Sequence, residues 1–218
     1  MTEFAWRDIV LLSLCWIGYF VLHSLLASLA VKRWVDAGWP KLMPYYRLTF
    51  NFLALLLLLP IIGFSHHDPE PMLWRWQGSA VWLANGLALG AMLGFWLSLK
   101  SYDMQEFLGL RQLQFHVRKV EDQERFQLSP FHRFVRHPWY FFALILIWTR
   151  DMGVMTLLSS ILITLYFVVG SWLEEKKLLV YHGDIYRRYM ARVPGLIPQP
   201  WKSLTKKEAE ALLKQNNY

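Results

Sequence analysis

Residues 48–64 read Leu-Thr-Phe-Asn-Phe-Leu-Ala-Leu-Leu-Leu-Leu-Leu-Pro-Ile-Ile-Gly-Phe, seventeen positions without a charged side chain. A helix needs about 17 to 25 mostly apolar residues to cross the hydrocarbon core of a bilayer, so this run predicts a membrane span. Working outward, Ile9 to Val31 and Ser79 to Leu99 are runs of the same kind. A shorter apolar run, Trp139 to Trp148, ends at Thr149-Arg150-Asp151, and a longer one follows from Val154 to about Leu173. These two predict a helical hairpin. Its short arm must begin within the interface, tilt, or be shielded by neighbouring helices to cross at all.

The expected fold class is therefore an all-α integral membrane protein of about five transmembrane helices, the last two a hairpin, with a cytoplasmic C-terminal cap. All 218 residues fit one membrane domain: a three-helix part over 1–99, a part over 100–200 holding the hairpin, and a surface tail over 201–218. Composition agrees. The chain is 55% hydrophobic and carries 12 Trp, 10 Tyr and 14 Phe, the aromatic supply that two membrane interfaces require.

The formal charge of +7 does not indicate nucleic acid, because the basic residues are spread over loops instead of forming one stripe. They report topology. Lys32, Arg33, Lys41 and Arg47 follow the first run, whereas Arg75 stands alone between the second and third. Lys100, Arg111, Arg118, Lys119, Arg125, Arg133 and Arg136 follow the third, and Arg150 alone marks the hairpin tip. The positive-inside rule then predicts the N-terminus outside and the C-terminus in the cytoplasm. The first run is too long for a signal-peptide core and is expected to stay as a membrane helix. The single Cys15 has no internal partner and reads as a small buried hydrophobe. Over Thr205 to Lys214 a short surface helix is predicted, with Thr205 as its N-cap and an acid three residues on.

Three polar segments carry the chemistry. Phe131-His132-Arg133-Phe134-Val135-Arg136-His137-Pro138-Trp139-Tyr140 stands directly before the short hairpin arm. Pro138 suits the first turn of a helix, whose free N–H groups, with two arginines and His137 beside them, suit an anionic ligand. The same residues also read as interface anchors whose heads reach lipid phosphates. Glu174-Glu175 follows the last apolar run, and a carboxylate at that depth is tolerated mainly when something cationic answers it. Lys176 and Lys177 could equally make it an ordinary solvated face. In the third segment, Tyr181 to Pro194, Gly183 predicts a helix stop followed by a short basic helix, and Pro194, Pro198 and Pro200 break the chain into a cap.

Taken in order, Arg136-His137-Pro138-x-Tyr140, Glu174-Glu175, Gly183-x-x-Tyr186-x-x-Tyr189 and Val193-Pro194 resemble the isoprenylcysteine carboxyl methyltransferase and phospholipid methyltransferase superfamily. The resemblance covers about residues 124 to 200. It implies S-adenosylmethionine as cofactor, held at the cytoplasmic end of the helices by His132, Arg136, His137, Pro138, Tyr140, Glu174, Glu175 and Tyr186, with no metal. Three positions depart from the pattern. Phe142 stands where relatives usually carry glycine, His132 where tyrosine is common, and Gly170 where the carboxyl methyltransferases carry an arginine. Gly170 argues against a prenylcysteine carboxylate substrate.

The N-terminal half, through His23-Ser24-Leu25-Leu26-Ala27-Ser28, Tyr46-Arg47-x-x-x-Asn51 and Phe107-Leu108-Gly109-Leu110-Arg111-Gln112, is similar to the bacterial methanethiol S-methyltransferase branch. That branch implies the bacterial inner membrane and a small thiol as substrate. A thiol has a free pKa of about 8.5, so a nearby base or cation raises its thiolate fraction. His23 is the expected base and Arg47 the neighbouring cation, with Tyr46 and Asn51 lining the substrate pocket. These polar side chains also read simply as helix-to-helix hydrogen bonds. A lipid or amine N-methyltransferase and a non-catalytic membrane accessory protein on the same scaffold are the alternative readings. Expected partners are a small-molecule or lipid substrate and membrane lipids, without nucleic acid.

Overall fold

A computed structural model describes residues 6–65, 70–117, 126 and 128–215. Arg118, Lys119 and Arg125, which enter the charge count, lie outside the described residues. In chain order the elements are α1 (Trp6–Ala27), α2 (Leu29–Gly38), α3 (Met43–Ser65), β1 (Met72–Trp74), α4 (Ser79–Leu99), α5 (Met104–Leu108) and α6 (Leu110–Gln114). They continue with α7 (Pro138–Trp148), β2 (Met152–Gly153), α8 (Val154–Arg192) and α9 (Lys206–Gln215). Four of them, α1, α3, α4 and α8, are long and apolar enough to cross a membrane. The protein is an integral membrane protein. At eleven residues, α7 is the short arm anticipated from its sequence.

The chain divides into two compact units. The first takes Met1–Arg75, Tyr102–Asp122 and Asp151–Leu162, the second Trp76–Ser101, Gln123–Arg150 and Ile163–Tyr218.

In the first unit, the apolar run from Ile9 does not continue to Val31 as one helix. Ser28 adopts extended backbone, its Oγ accepts from the Val31 N–H at 3.3 Å, and a new helix begins. Serine offers the free N–H groups of α2 a partner that continued helix would not need, so the run becomes a span followed by a short helix. α1 buries only Leu12 and Trp16 among its described residues, and Trp16 Nε1 donates to Ser159 Oγ at 2.9 Å. Val10, Leu14, Ile17, Val21 and Leu25 are exposed, as lipid contact requires. The two short strands, absent from the sequence reading, pair antiparallel with Met72 opposite Gly153 and Trp74 opposite Met152. Beside them the Glu70 carboxylate accepts from the Met155 N–H, from the Thr156 N–H at 3.2 Å and from Thr156 Oγ1 at 2.5 Å. Negative charge at the start of α8 complements the unpaired N–H groups there. Gly153 is needed beneath it, since a Cβ would overlap the Glu70 side chain.

In the second unit, α7 lies on a stripe of small α4 residues, Ala84, Ala88, Ala91, Gly94 and Ser98, all buried. A Cβ on Gly94 would stand 2.6 Å from the Phe142 ring, and Trp139 Nε1 donates to Ser98 Oγ at 2.8 Å. Small residues let backbones approach closely, and here they shield a helix too short to span comfortably. α8 bends at Gly183, whose φ of 54° is open to glycine with little cost. The expected helix stop is thus a sharp bend. Beyond it, Tyr186, Tyr189 and Val193 form a cap core with Phe126, Leu204 and Ala209. Thr205 and Glu208 cap α9 reciprocally, the Thr205 N–H donating to Glu208 Oε2 at 2.7 Å and the Glu208 N–H to Thr205 Oγ1 at 3.3 Å.

Candidate functional site

Pro138 starts α7, and the residues before it are held by backbone pairing with a distant segment. The Arg136 N–H donates to Pro194 O at 2.8 Å, and the His137 N–H to Gly195 O at 3.1 Å. Directly before Arg133, the Ser129-to-His132 turn is closed by its own side chains. The Ser129 N–H donates to His132 Nδ1 at 3.1 Å, which fixes Nδ1 as an acceptor and leaves the ring proton on Nε2. Burial is the main cause that pushes the His132 pKa down to about 4, so the ring is neutral.

At this anchored turn two cations meet two carboxylates. Arg136 Nε donates to Glu175 Oε1 at 2.8 Å, and its Nη1 donates to Met190 O at 3.1 Å and to Val193 O. His137 Nε2 lies 2.9 Å from the same Glu175 oxygen, and Nδ1 lies 3.4 Å from Glu174 Oε2. Burial alone would lower the His137 pKa, but hydrogen bonds to Glu174 and Glu175 outweigh it and the pKa is raised. A protonated ring donates from both nitrogens, which matches one carboxylate on each side. The two glutamates differ in access. The Glu175 side chain is 10% exposed and its Oε1 takes both Arg136 and His137, whereas that of Glu174 is 48% exposed and lies 3.4 Å from His137. Glu174 is therefore the carboxylate able to meet a further cation.

Tyr140 stacks between His137, with centroids 5.4 Å apart and rings 10° from parallel, and Phe167, at 4.6 Å and 2°. Phe167, Gly170 and Glu174 fall on one face of α8 by their helical spacing, and the Tyr140 hydroxyl lies 3.9 Å from where a Gly170 Cβ would stand. Phe167 and Gly195 were not singled out in the sequence; the seven-residue step from Phe167 to Glu174 is the signal that could have found the first. No comparable signal marks Gly195, whose role depends on a backbone carbonyl.

Against known proteins the chain has clear relatives. Methanethiol S-methyltransferase 2 of Bradyrhizobium diazoefficiens is 32% identical over 198 residues, covering 88% of this chain and 74% of its own length. The methanethiol S-methyltransferase of Mycobacterium tuberculosis is 32% identical over 209 residues, covering 88% and 79%. The chain belongs to the methanethiol S-methyltransferase family. This family fits within the isoprenylcysteine carboxyl methyltransferase-like superfamily. Nurim of Rattus norvegicus is 27% identical over 198 residues, covering 86% of this chain and 72% of its own length. No family model and no solved structure matches the chain.

Of the residues singled out in sequence, the second unit brings together His132, Arg136, His137, Pro138, Tyr140, Glu174, Glu175 and Tyr186. Tyr186 lies in the cap core, 2% exposed. His23, Tyr46, Arg47 and Asn51 belong to the first unit. There Tyr46 OH donates to Leu26 O at 2.6 Å, Arg47 Nη1 to Glu106 O at 2.8 Å and Asn51 Nδ2 to Phe107 O at 3.0 Å. His23 packs with Tyr19 and Phe50, its ring 5.0 Å from that of Phe50. The donors of Arg47 and Asn51 tie α5 to α3, and Gly109 sits so tightly that a Cβ would be 2.6 Å from the Leu48 nitrogen. The shared motif Phe107 to Gln112 is thus a docked corner, built where α3 begins.

Proposed function

We propose that the protein is an S-adenosylmethionine-dependent methyltransferase of the membrane, with a small thiol as methyl acceptor and methanethiol the first candidate. The observation that supports it most is the charge-matched cluster of Arg136, His137, Glu174 and Glu175 at the start of α7, in a chain 32% identical to proteins named for this reaction. The donor set fits a cofactor that combines a sulfonium, an amine, a carboxylate and an aromatic base. Glu174, oriented by His137, would answer its positive charge, the α7 N-terminus its carboxylate, and the face of Phe167 turned away from Tyr140 its flat ring. When bound, S-adenosylmethionine supplies a methyl group carried on a sulfonium sulphur.

For such a displacement alignment matters more than acid–base work, so rigid positioning is the main requirement of the protein. Arg136 and Glu175 meet it by fixing the turn, and His137 by holding Glu174 in place. Removing the thiol proton is assigned to His23, with Arg47 stabilising the thiolate. A thiolate and a sulfonium lose charge together as they react, which a partly dehydrated environment favours. The positive-inside count supports an inner-membrane protein with its N-terminus outside and its C-terminus, with the cluster, in the cytoplasm, where the cofactor is made.

Purified protein incubated with labelled S-adenosylmethionine and a panel of small thiols, amines and lipids tests this reading. Label transfer to methanethiol, with binding lost in Glu174→Ala and His137→Ala, is the expected result. A wild-type protein that binds no cofactor overturns it, and transfer to an amine or lipid instead of a thiol overturns the assigned substrate.

A further inference from the structure

Between Gly195 and Leu204 the cap forms a loop, Gly-Leu-Ile-Pro-Gln-Pro-Trp-Lys-Ser-Leu, whose interior the site does not use. Both of its ends are fastened to the residues leading into α7. At one end Gly195 O accepts from the Arg136 and His137 N–H groups, each at 3.1 Å. At the other the Leu204 N–H donates to Arg133 O and Arg133 Nε donates to Leu204 O, both at 2.9 Å. Within the loop Pro198 and Pro200 fix two φ angles, and the Lys202 N–H closes a turn on Gln199 O at 2.9 Å. This stiff frame presents Ile197, 68% exposed, and Trp201, 78% exposed, beside an exposed Lys202.

Two large apolar side chains held rigidly outward are costly in water unless something covers them. Depth identifies the cover. α7 is apolar from its first residues, Pro-Trp-Tyr-Phe-Phe, so the turn that fastens the loop marks the edge of the apolar layer. At that depth lie lipid headgroups, and a tryptophan with an adjacent lysine is the composition such a layer selects. We infer that residues Ile197 to Lys202 are an interfacial anchor, with Ile197 and Trp201 inserted among phospholipid headgroups and Lys202 on their phosphates. The anchor shares its fastening residues, Arg136 and His137, with the charged cluster, so lipid contact steadies the cap at the point where the cluster is built. This inference needs only the membrane location and is independent of the methyl-transfer reading.

A single-cysteine protein tests it. In a Cys15→Ala background, Trp201→Cys or, separately, Ile197→Cys is labelled with an environment-sensitive fluorophore, and Glu210→Cys on α9 is the aqueous reference. The full chain is placed in vesicles of phosphatidylcholine and phosphatidylglycerol, with and without a nitroxide carried at the lipid headgroup. The expected result is a blue-shifted emission at 201 and 197 that the lipid nitroxide quenches, against a red, unquenched emission at 210. Emission at both loop sites matching the reference overturns the anchor. So does a blue-shifted emission that the lipid nitroxide leaves untouched, because protein and not lipid would then cover the loop.

Discussion

The two polar groups of this protein use the same kinds of side chain for different purposes. In the second unit Arg136 and His137 meet carboxylates of α8, and charge is balanced side chain to side chain. In the first unit Arg47, Tyr46 and Asn51 donate to backbone carbonyls. A carboxylate can be neutralised or recruited by a ligand; a backbone carbonyl that closes a helix corner cannot be released without loosening the corner. The first arrangement can respond to a bound cation, whereas the second chiefly fixes shape. This contrast makes Glu174 the carboxylate best placed for cofactor contact.

The largest effect should separate the two adjacent glutamates. Glu175→Ala leaves the buried Arg136 guanidinium and His137 without their shared carboxylate, and losing one partner of a buried pair costs about 3–5 kcal/mol. A large drop in the thermal unfolding midpoint in detergent is expected. Glu174→Ala should leave that midpoint nearly unchanged while removing cofactor binding, measured by titration calorimetry. Equal destabilisation by both variants would break the distinction between frame and contact.

Acidity should act on the second unit through its two histidines in opposite directions. His132 has a pKa depressed to about 4, so its contribution to stability is present above its unfolded pKa of ~6.5 and is lost as pH falls through about 4, an effect of about 3 kcal/mol. His137 has a raised pKa, so its contribution is complete below ~6.5 and fades as pH rises through its folded value. Denaturation midpoints measured across pH should therefore peak near ~6.5, with His132→Asn flattening only the acid side. An unaltered acid limb in that variant would place the titrating group elsewhere.

How much of this could be read from sequence depended on whether the cause was local. The spans followed from apolar length, the α9 cap from Thr205 and Glu208, and the charged cluster from motifs that each lie within a few residues. The break at Ser28 was missed because hydropathy is blind to a hydroxyl that can cap a helix within an apolar run. Glu70 and the paired strands were missed because the partners, Met72 with Gly153 and Glu70 with Thr156, are more than eighty residues apart. The roles of Arg47 and Asn51 were ambiguous for a related reason: their acceptors are main-chain atoms, which leave no residue-type signature.

Glycines give a finer test of the fixed corner. Gly109 has a φ of 88° and lies against the helical backbone of α3, so Gly109→Ala adds left-handed strain and a contact that cannot give way. A cost of about 1–3 kcal/mol is expected. Gly183, at φ 54° and ψ −128°, has open space around its Cβ position but lies outside the left-handed helical basin, so Gly183→Ala should carry backbone strain alone, without the clash. Hydrogen exchange should show faster exchange over residues 104–114 in Gly109→Ala alone.

The smallest effect addresses the corner directly. Asn51→Ala removes one hydrogen bond, to Phe107 O, from a partly exposed position, and a single such bond is worth about 1 kcal/mol. If Asn51 only fastens α5 to α3, the variant should lose that much stability and transfer methyl groups to each thiol in unchanged proportion. If it also lines the acceptor pocket, the ratio of kcat/KM values for a small and a bulkier thiol will shift while stability falls by the same amount. The ratio, and not the stability, decides between the two, because a fastening residue affects all acceptors alike and a pocket residue distinguishes them.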